Sequence, residues 1–363
     1  MITIKVSTPS PHIPLLKMLP EGKDVIGNYR FLVNTDAPEA DWWIIVHGLP
    51  QDTKTVCPKE NTILITQETE VVKQYQQRYV NQFNWIITCQ KTLKHPRKIY
   101  THQGHLSYLF MRRKQPDQSL ESFQNQFKTF DELRAMTPES IPKSKELTAV
   151  VSHKQRSEGA VARYNFIMKL KEHFGSRFDI FSNQPNVFGP ETKVAGFKWD
   201  AVAPYKYVLS IENSYVPHWW TNHLFDAFIA GAYPIYYGHP SIFDYFPKNS
   251  LTLIDVNDIS ESIAIIEKVL SEDYFEKYQK EVWAARKLAL DKYNLFQVII
   301  DAIEKLPSAS KKTEVMIHAE KDRMMLLKNK LVTEVKKIPI IRTVAQKIYR
   351  KYRFLRYGKQ FLK

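Results

Sequence analysis

Glycine is scarce here, 11 residues in 363, and no two of them form a Gly-x-Gly. That excludes the dinucleotide fingerprint and the glycine-rich phosphate loop, both of which need glycine where backbone closes on phosphate. Cysteine is scarcer still. Cys57 and Cys89 are the whole complement, too few for a disulfide framework or a thiolate metal site and suited to a reducing compartment, so a cytoplasmic location is expected. No run approaches the roughly 18 apolar residues of a membrane span, and the N-terminal MITIKVSTPSPHIPLL lacks the charged-then-apolar layout of a signal peptide.

Acidic residues are missing from one end. Residues 311–363 hold 16 Lys/Arg against 4 Asp/Glu, net +12 of the chain's +14, which leaves the first 310 residues with 36 against 34. A near-neutral body does not present the distributed cations that a nucleic-acid surface needs. No His/Cys cluster has metal-ligand spacing, and Asp255-Val256-Asn257-Asp258 does not match the Asp-x-Asp of metal-dependent sugar transferases. Metal independence is therefore expected, with His102-Gln103-Gly104-His105 read as a structural loop pair.

What remains is a globular composition, 44% hydrophobic and 13% aromatic, long enough for two domains. Trp42–Val46, Thr62–Thr66 and Trp85–Cys89 read as buried strands, with a polar helical stretch around Val71–Tyr79 between the last two. A Lys/Gln/Pro-rich stretch over 112–146 reads as a boundary. Strands then follow at Leu147–Val151, Phe178–Phe181, Tyr207–Ile211 and Tyr233–Tyr237, with helices near Ala162–His173 and Thr221–Ala230 and further helices from Ser260 to about Leu306. Strand and helix in alternation predict parallel sheets. The expected domains are 1–146, 147–306 and a helical tail, 307–363, with the site in the cleft at the carboxyl ends of the strands.

The strand at 207–211 exits into Glu212-Asn213-Ser214, and Thr221 is placed as N-cap of a helix that Ala230-Gly231 ends. A helix N-terminus facing a cleft favours an anion, and His223 in its first turn could add a donor. On spacing alone a plainer account fits as well, with Glu212 and Asn213 capping the strand end and His223 on the surface.

The run YKYVLSIENS, followed by WWTNHLFDAFIAGAYPIYYG, resembles the donor-binding signature of glycosyltransferase family 10, the α-1,3-fucosyltransferases: Tyr-Lys-Phe, Glu-Asn-Ser, Tyr-Val-Thr-Glu-Lys-Leu and Ala-Gly-x-x-Pro in order over some 35 residues. The resemblance implies an α/β chain of GT-B architecture, two facing Rossmann-like domains, with a nucleotide-diphosphate sugar such as GDP-fucose as co-substrate. It places Arg163, Glu212, Asn213, Ser214, Trp219, Thr221, Asn222 and His223 at the donor. Ala149-Val150-Val151-Ser152 with Arg163 resembles the family's phosphate-binding segment; as a bare sequence feature Arg163 reads equally as a surface arginine. Thr66-Gln67-Glu68-Thr69 ahead of Phe83-Asn84 resembles the segment carrying the family's acceptor-side base, which falls on Glu68, with Glu70 as fallback and a solvated loop acid as the plain alternative. An inverting transfer needs such a carboxylate to take the acceptor hydroxyl's proton opposite the leaving diphosphate.

The chain departs from the pattern where Thr-Glu-Lys becomes Thr221-Asn222-His223. A ribose-type acceptor and a fixed cation are lost, so the alternatives include a transferase with a non-fucose donor and a non-catalytic sugar-binding relative. Residues 335–363 carry ten Lys/Arg and no acid, with Ile341, Val344, Ala345, Ile348, Tyr352 and Leu355 at helical spacing. That is the form of a helix lying in an anionic membrane interface, although a helix packed on the body or bound to nucleic acid has the same pattern. The expected partners are a nucleotide sugar, a glycan or lipid-linked acceptor such as a lipopolysaccharide O-antigen, and the inner membrane face.

Overall fold

The computed structural model describes residues 1–105, 119, 127–152, 158–194 and 197–320. The basic segment 335–363 lies outside the described residues, as does much of the boundary stretch.

In the first half the strands are β1 (Ile2–Ser7), β2 (Val25–Ile26), β3 (Tyr29–Val33), β4 (Trp42–Val46), β5 (Thr53–Cys57), β6 (Thr62–Ile65), β7 (Trp85–Thr88) and β8 (Lys98–Tyr100). All but β5 form one sheet, in the order β2-β3-β1-β4-β6-β7-β8, parallel throughout except for the β2–β3 pair. Every residue of β4 and β6 is buried, which is why continuous apolar runs mark them as central strands covered on both faces.

Between β6 and β7 the expected helix over Val71–Tyr79 contracts to a single turn, α1 (Gln77–Val80). The half-buried Tyr75 donates its hydroxyl to the backbone carbonyls of His47 and Thr66, and Lys73 Nζ donates to His47 O at 2.8 Å. Side chains that bond the neighbouring strand ends hold residues 71–76 off the helical path.

In the second half α2 (Phe130–Ala135) precedes β9 (Lys145–Val150), α3 (Glu158–Phe174), β10 (Phe178–Ser182), β11 (Lys193–Val194), α4 (Lys198–Val202), β12 (Tyr205–Ile211), α5 (Asn222–Ile229), β13 (Tyr233–Tyr237) and β14 (Thr252–Leu253). The sheet order β11-β10-β9-β12-β13-β14, all parallel, is 3-2-1-4-5-6 in chain order, the doubly wound arrangement. Such a sheet opens a crevice where the order reverses, between the carboxyl ends of β9 and β12. Gly231 ends α5 at φ +62°, and a Cβ there would sit 3.2 Å from the Trp283 ring, so glycine is required both for the turn and for the close approach.

The chain then runs through α6 (Ile259–Ser271), α7 (Tyr274–Lys277), α8 (Gln279–Asp291) and α9 (Leu295–Ile303) to β15 (Thr313–Ile317). These last elements return to the first sheet. Phe296 of α9 packs edge-on against Phe31 at 4.8 Å, and β15 pairs antiparallel with β5. Residues 307–320, drawn from sequence as the start of a helical tail, therefore contain a strand. Alternation in Thr313–Ile317 buries Val315 and Ile317 against the first unit while Glu314 and Met316 stay exposed. Among the described residues no helix is long and apolar enough to cross a membrane.

Candidate active site

β12 delivers Glu212 to the crevice, buried at 1% exposure. Its Oε1 accepts from the Thr221 backbone N–H at 2.7 Å, and its Oε2 has no hydrogen-bond partner among the described residues. Burial pushes the carboxyl up to about 7, against the opposing pull of the Thr221 bonds, Arg163 and Lys198. Glu212 thus ties the strand end to the start of α5, where the Thr221 hydroxyl accepts from His223 N as the N-cap expected from sequence. Asn213 Oδ1 accepts from the Ser214 hydroxyl at 3.2 Å. Trp219 is buried with its indole N–H unpartnered among the described residues.

His223 is not a surface histidine. Burial, with Lys198 and Arg163 beside it, holds its pKa well below the ordinary value, and its ring hydrogen-bonds to the Val150 backbone. It is a neutral donor or acceptor at pH 7, not a cation. Arg163, on α3 behind β9, is 7% exposed and makes no hydrogen bond or ion pair among the described residues; its electrostatic neighbours are Glu212 and His223. A buried guanidinium with no partner among the described residues, at a sheet's switch point, has the chemistry to receive an anion.

A cation unread in the sequence completes this wall. Lys198 Nζ lies 2.6 Å from Asp226 Oδ2, with side-chain exposures of 3% and 0%, and donates to the Asn222 carbonyl at 3.2 Å. Nothing in the run Phe197-Lys198-Trp199 signals it, because its partner belongs to another element.

The opposite wall is the loop after β6. Gln67 is left-handed at φ +60°, as is His47 at the end of β4 at +67°, and two such residues at adjacent strand ends are strained backbone of the kind that collects at functional sites. Glu68 follows. Burial raises its carboxyl to about 7 while Lys73 pulls it down, which sets it near the value suited to a general base at neutral pH. Gln90 Nε2 donates to the Glu68 carbonyl at 2.9 Å. The Thr69 hydroxyl meets that of Ser214 at 3.0 Å, so the acid-bearing loop touches the Glu-Asn-Ser end of β12.

His102 and His105 take the structural role expected of them. His102 stacks on Trp220 at 5.1 Å and His105 on Phe225 at 4.2 Å, joining the two units. Gly104, at φ +69°, permits this, since a Cβ would come within 2.9 Å of Leu295 Cα. Asp255 and Asp258 serve a turn: Asp255 accepts from Asn257, and Asp258 caps α6. Among the described residues no three His, Cys, Asp or Glu side chains gather as a metal site.

The family described as glycosyltransferase family 10 (fucosyltransferase), C-terminal part, matches residues 141–316. An α-(1,3)-fucosyltransferase B of Drosophila melanogaster is 36% identical over 66 residues, which are 18% of this chain and 15% of that protein. An α-glucosyltransferase solved with UDP and a mismatched 13-mer DNA superposes with a TM-score of 0.50 at 9% identity, covering 84% of this chain and all of that one. An α1,3-fucosyltransferase solved with GDP gives 0.46 at 15% identity, over 81% and 93%. The chain has the GT-B fold, and its residues 141–316 match the model of glycosyltransferase family 10.

Proposed function

We propose that the protein transfers a sugar from a nucleoside-diphosphate donor to a glycan hydroxyl with inversion. The observation that carries this is the Thr69–Ser214 contact, which sets the desolvated Glu68 across from the start of α5 and from Arg163, which has no hydrogen-bond partner among the described residues. In this reading Glu68 takes the acceptor hydroxyl's proton as that oxygen bonds the anomeric carbon. The anomeric carbon–oxygen bond breaks on the opposite face and leaves the diphosphate beside Arg163. Glu212, Asn213, Ser214, Trp219, Thr221, Asn222 and His223 shape the donor pocket.

GDP-fucose or a related guanosine sugar is the first donor to test, since the family match is to fucosyltransferases. A different donor is favoured by one observation: neutral His223 and Asn222 replace the charged pair of the family signature. A panel of nucleotide sugars in a thermal-shift assay tests both, because ligand at about 100 times its Kd adds roughly 2.7 kcal/mol to the native state. We expect one guanosine or uridine diphosphate sugar to raise Tm by several degrees; no shift from any of them sinks the proposal. The acceptor proposed is a cell-surface glycan such as a lipid-linked O-antigen, reached from the cytoplasmic membrane face through residues 335–363.

A further inference from the structure

Four acids interrupt the basic stretch 311–363, and the two among the described residues, Glu314 and Glu320, both reach lysines of the first unit. They do so differently. Glu314 meets Lys54 at 2.9 Å with both side chains 60% exposed, an open pair that water and salt weaken. Glu320 is 11% exposed and grips one loop at two points: its Oε1 accepts from the Gln76 backbone N–H at 2.7 Å, and its Oε2 lies 3.4 Å from Lys73 Nζ.

That loop is the one that carries Glu68. The Thr69 carbonyl accepts from Val72 N at 3.0 Å and from Lys73 N at 2.9 Å, which closes residues 69–73 into a turn. Gln90 Nε2 donates to the carbonyls of Glu68 and Lys73, each at 2.9 Å, so a single amide fixes these two residues relative to each other. Lys73 Nζ, besides meeting Glu320, donates to His47 O at 2.8 Å and stands 4.2 Å from the Tyr75 ring. Gln90 thus pins the turn from the end of β7, and Glu320 pins its far end between Lys73 and Gln76.

Glu320 is itself held from behind. Thr313–Ile317 pairs with β5, His318 N donates to Gln82 Oε1 at 2.8 Å, and Ala319 N donates to Asp52 Oδ1 at 2.8 Å. The returning chain is therefore tied to the first unit from Thr313 to Ala319 before the Glu320 carboxylate reaches the loop.

We propose that Glu320 is a positioning residue for the base: through Lys73 and Gln76 it sets the turn that presents Glu68 to the acceptor hydroxyl. This rests on the reading of Glu68 given above. It makes the returning segment part of the reaction's geometry, where a displacement of about 1 Å can cost roughly a hundredfold in rate.

The test compares the full chain with its Glu320→Gln and Glu320→Ala variants by hydrogen–deuterium exchange and mass spectrometry. Gln keeps an oxygen for the Gln76 N–H and removes the charge that faces Lys73; Ala removes both. We expect the amides of 69–80 to exchange roughly tenfold faster in Glu320→Ala and by a smaller factor in Glu320→Gln, with β9, β12 and β15 exchanging as in wild type. If Glu320→Ala also loosens β15, Lys73→Met breaks the ion pair from the other end and carries the test. Unchanged exchange over 69–80 overturns the proposal. With a nucleotide sugar and acceptor that turn over, Glu320→Ala lowers kcat by about tenfold or more while donor KM stays within about twofold, and a wild-type kcat in a chain whose turn has loosened overturns the proposal as well. A Glu68→Gln chain that turns over like wild type overturns the base reading instead and leaves the exchange result standing.

Discussion

The Thr69 and Ser214 hydroxyls, 145 residues apart in the chain, meet at 3.0 Å in a buried contact between the acid-bearing loop of the first sheet and the Glu-Asn-Ser end of β12. A buried neutral hydrogen bond contributes about 1 kcal/mol. Thr69→Val and Ser214→Ala should each destabilise by about that much and couple by roughly 0.5–1.5 kcal/mol in a urea-denaturation cycle. Turnover should fall more than donor affinity does, since the contact positions Glu68 and not the nucleotide. Strict additivity would mean the two units are held in register by other contacts.

On the proposed mechanism Glu68 sets the pH profile: the base must be a carboxylate, so kcat/KM should fall as pH drops through about 7, the value to which burial raises this group. Lys73→Met removes the cation that favours the charged form and should move that limb to higher pH. Glu68→Gln should cut turnover by roughly 10²–10⁴ with donor affinity nearly intact. The stability sign is the opposite. With a folded pKa above the unfolded one, the native state holds the proton more tightly between about 4.5 and 7, so stability present at low pH is lost as pH rises through that window. At pH 8 Glu68→Gln should therefore melt higher than wild type, by about 1–2 kcal/mol; a lower melt would contradict the desolvated geometry.

Much of this is legible because burial writes itself into composition. Trp42–Val46 and Tyr233–Tyr237 are buried at every position, and five apolar or aromatic residues in a row lose that surface to water anywhere except inside a covered sheet. Alternation is the weaker signal: β1 alternates apolar with polar residues in Ile2–Ser7, while β15, Thr-Glu-Val-Met-Ile inside a charged stretch, buries only Val315 and Ile317. The partner of β15, Thr53–Cys57, lies some 250 residues away, so no local window contains the reason it is a strand. Site chemistry divides in the same way. The Thr221 cap follows from local spacing, whereas the pairing of Lys198 with Asp226 and the lack of a partner at Arg163 among the described residues are properties of tertiary neighbours.

Arg163 gives a sharper test of the donor site than its charge alone suggests. A buried guanidinium that binds no group among the described residues costs stability in the free protein. Arg163→Met should leave the melting point unchanged or raise it, while weakening nucleoside-diphosphate binding by roughly tenfold to a hundredfold, the worth of a charged hydrogen bond. Calorimetric titration of GDP and UDP against both proteins reads this. A variant that unfolds easily yet binds nucleotide normally would make Arg163 a structural residue.

Lys198 and Asp226 behave as a unit, buried and 2.6 Å apart. Removing one partner strands the other charge, so Lys198→Met should cost about 3–5 kcal/mol. The double variant Lys198→Met with Asp226→Leu should recover most of that, because replacing both ends with apolar groups removes the desolvation penalty. If the pair only holds α5 in place, the double variant also recovers donor binding. If Lys198 supplies the charge that the Asn222-His223 sequence lacks, stability returns while nucleotide affinity stays low.

The basic segment leaves the described structure from the first unit. Glu320 Oε1 accepts from Gln76 N at 2.7 Å and its Oε2 pairs with Lys73 at 3.4 Å, so the chain continues toward 335–363 from the wall that carries Glu68. Ten cations without an acid can gain up to about 1 kcal/mol each near an anionic surface, and only some can face it at once. Flotation with phosphatidylglycerol vesicles should therefore capture the full chain and release it at high salt, while a chain ending at residue 334 should stay with the soluble fraction. Because the segment would hold the acceptor wall at the membrane, the truncated chain should keep its nucleotide-sugar binding and lose transfer only to lipid-linked acceptors. Equal flotation of the two chains would instead assign the charge to contacts with the body.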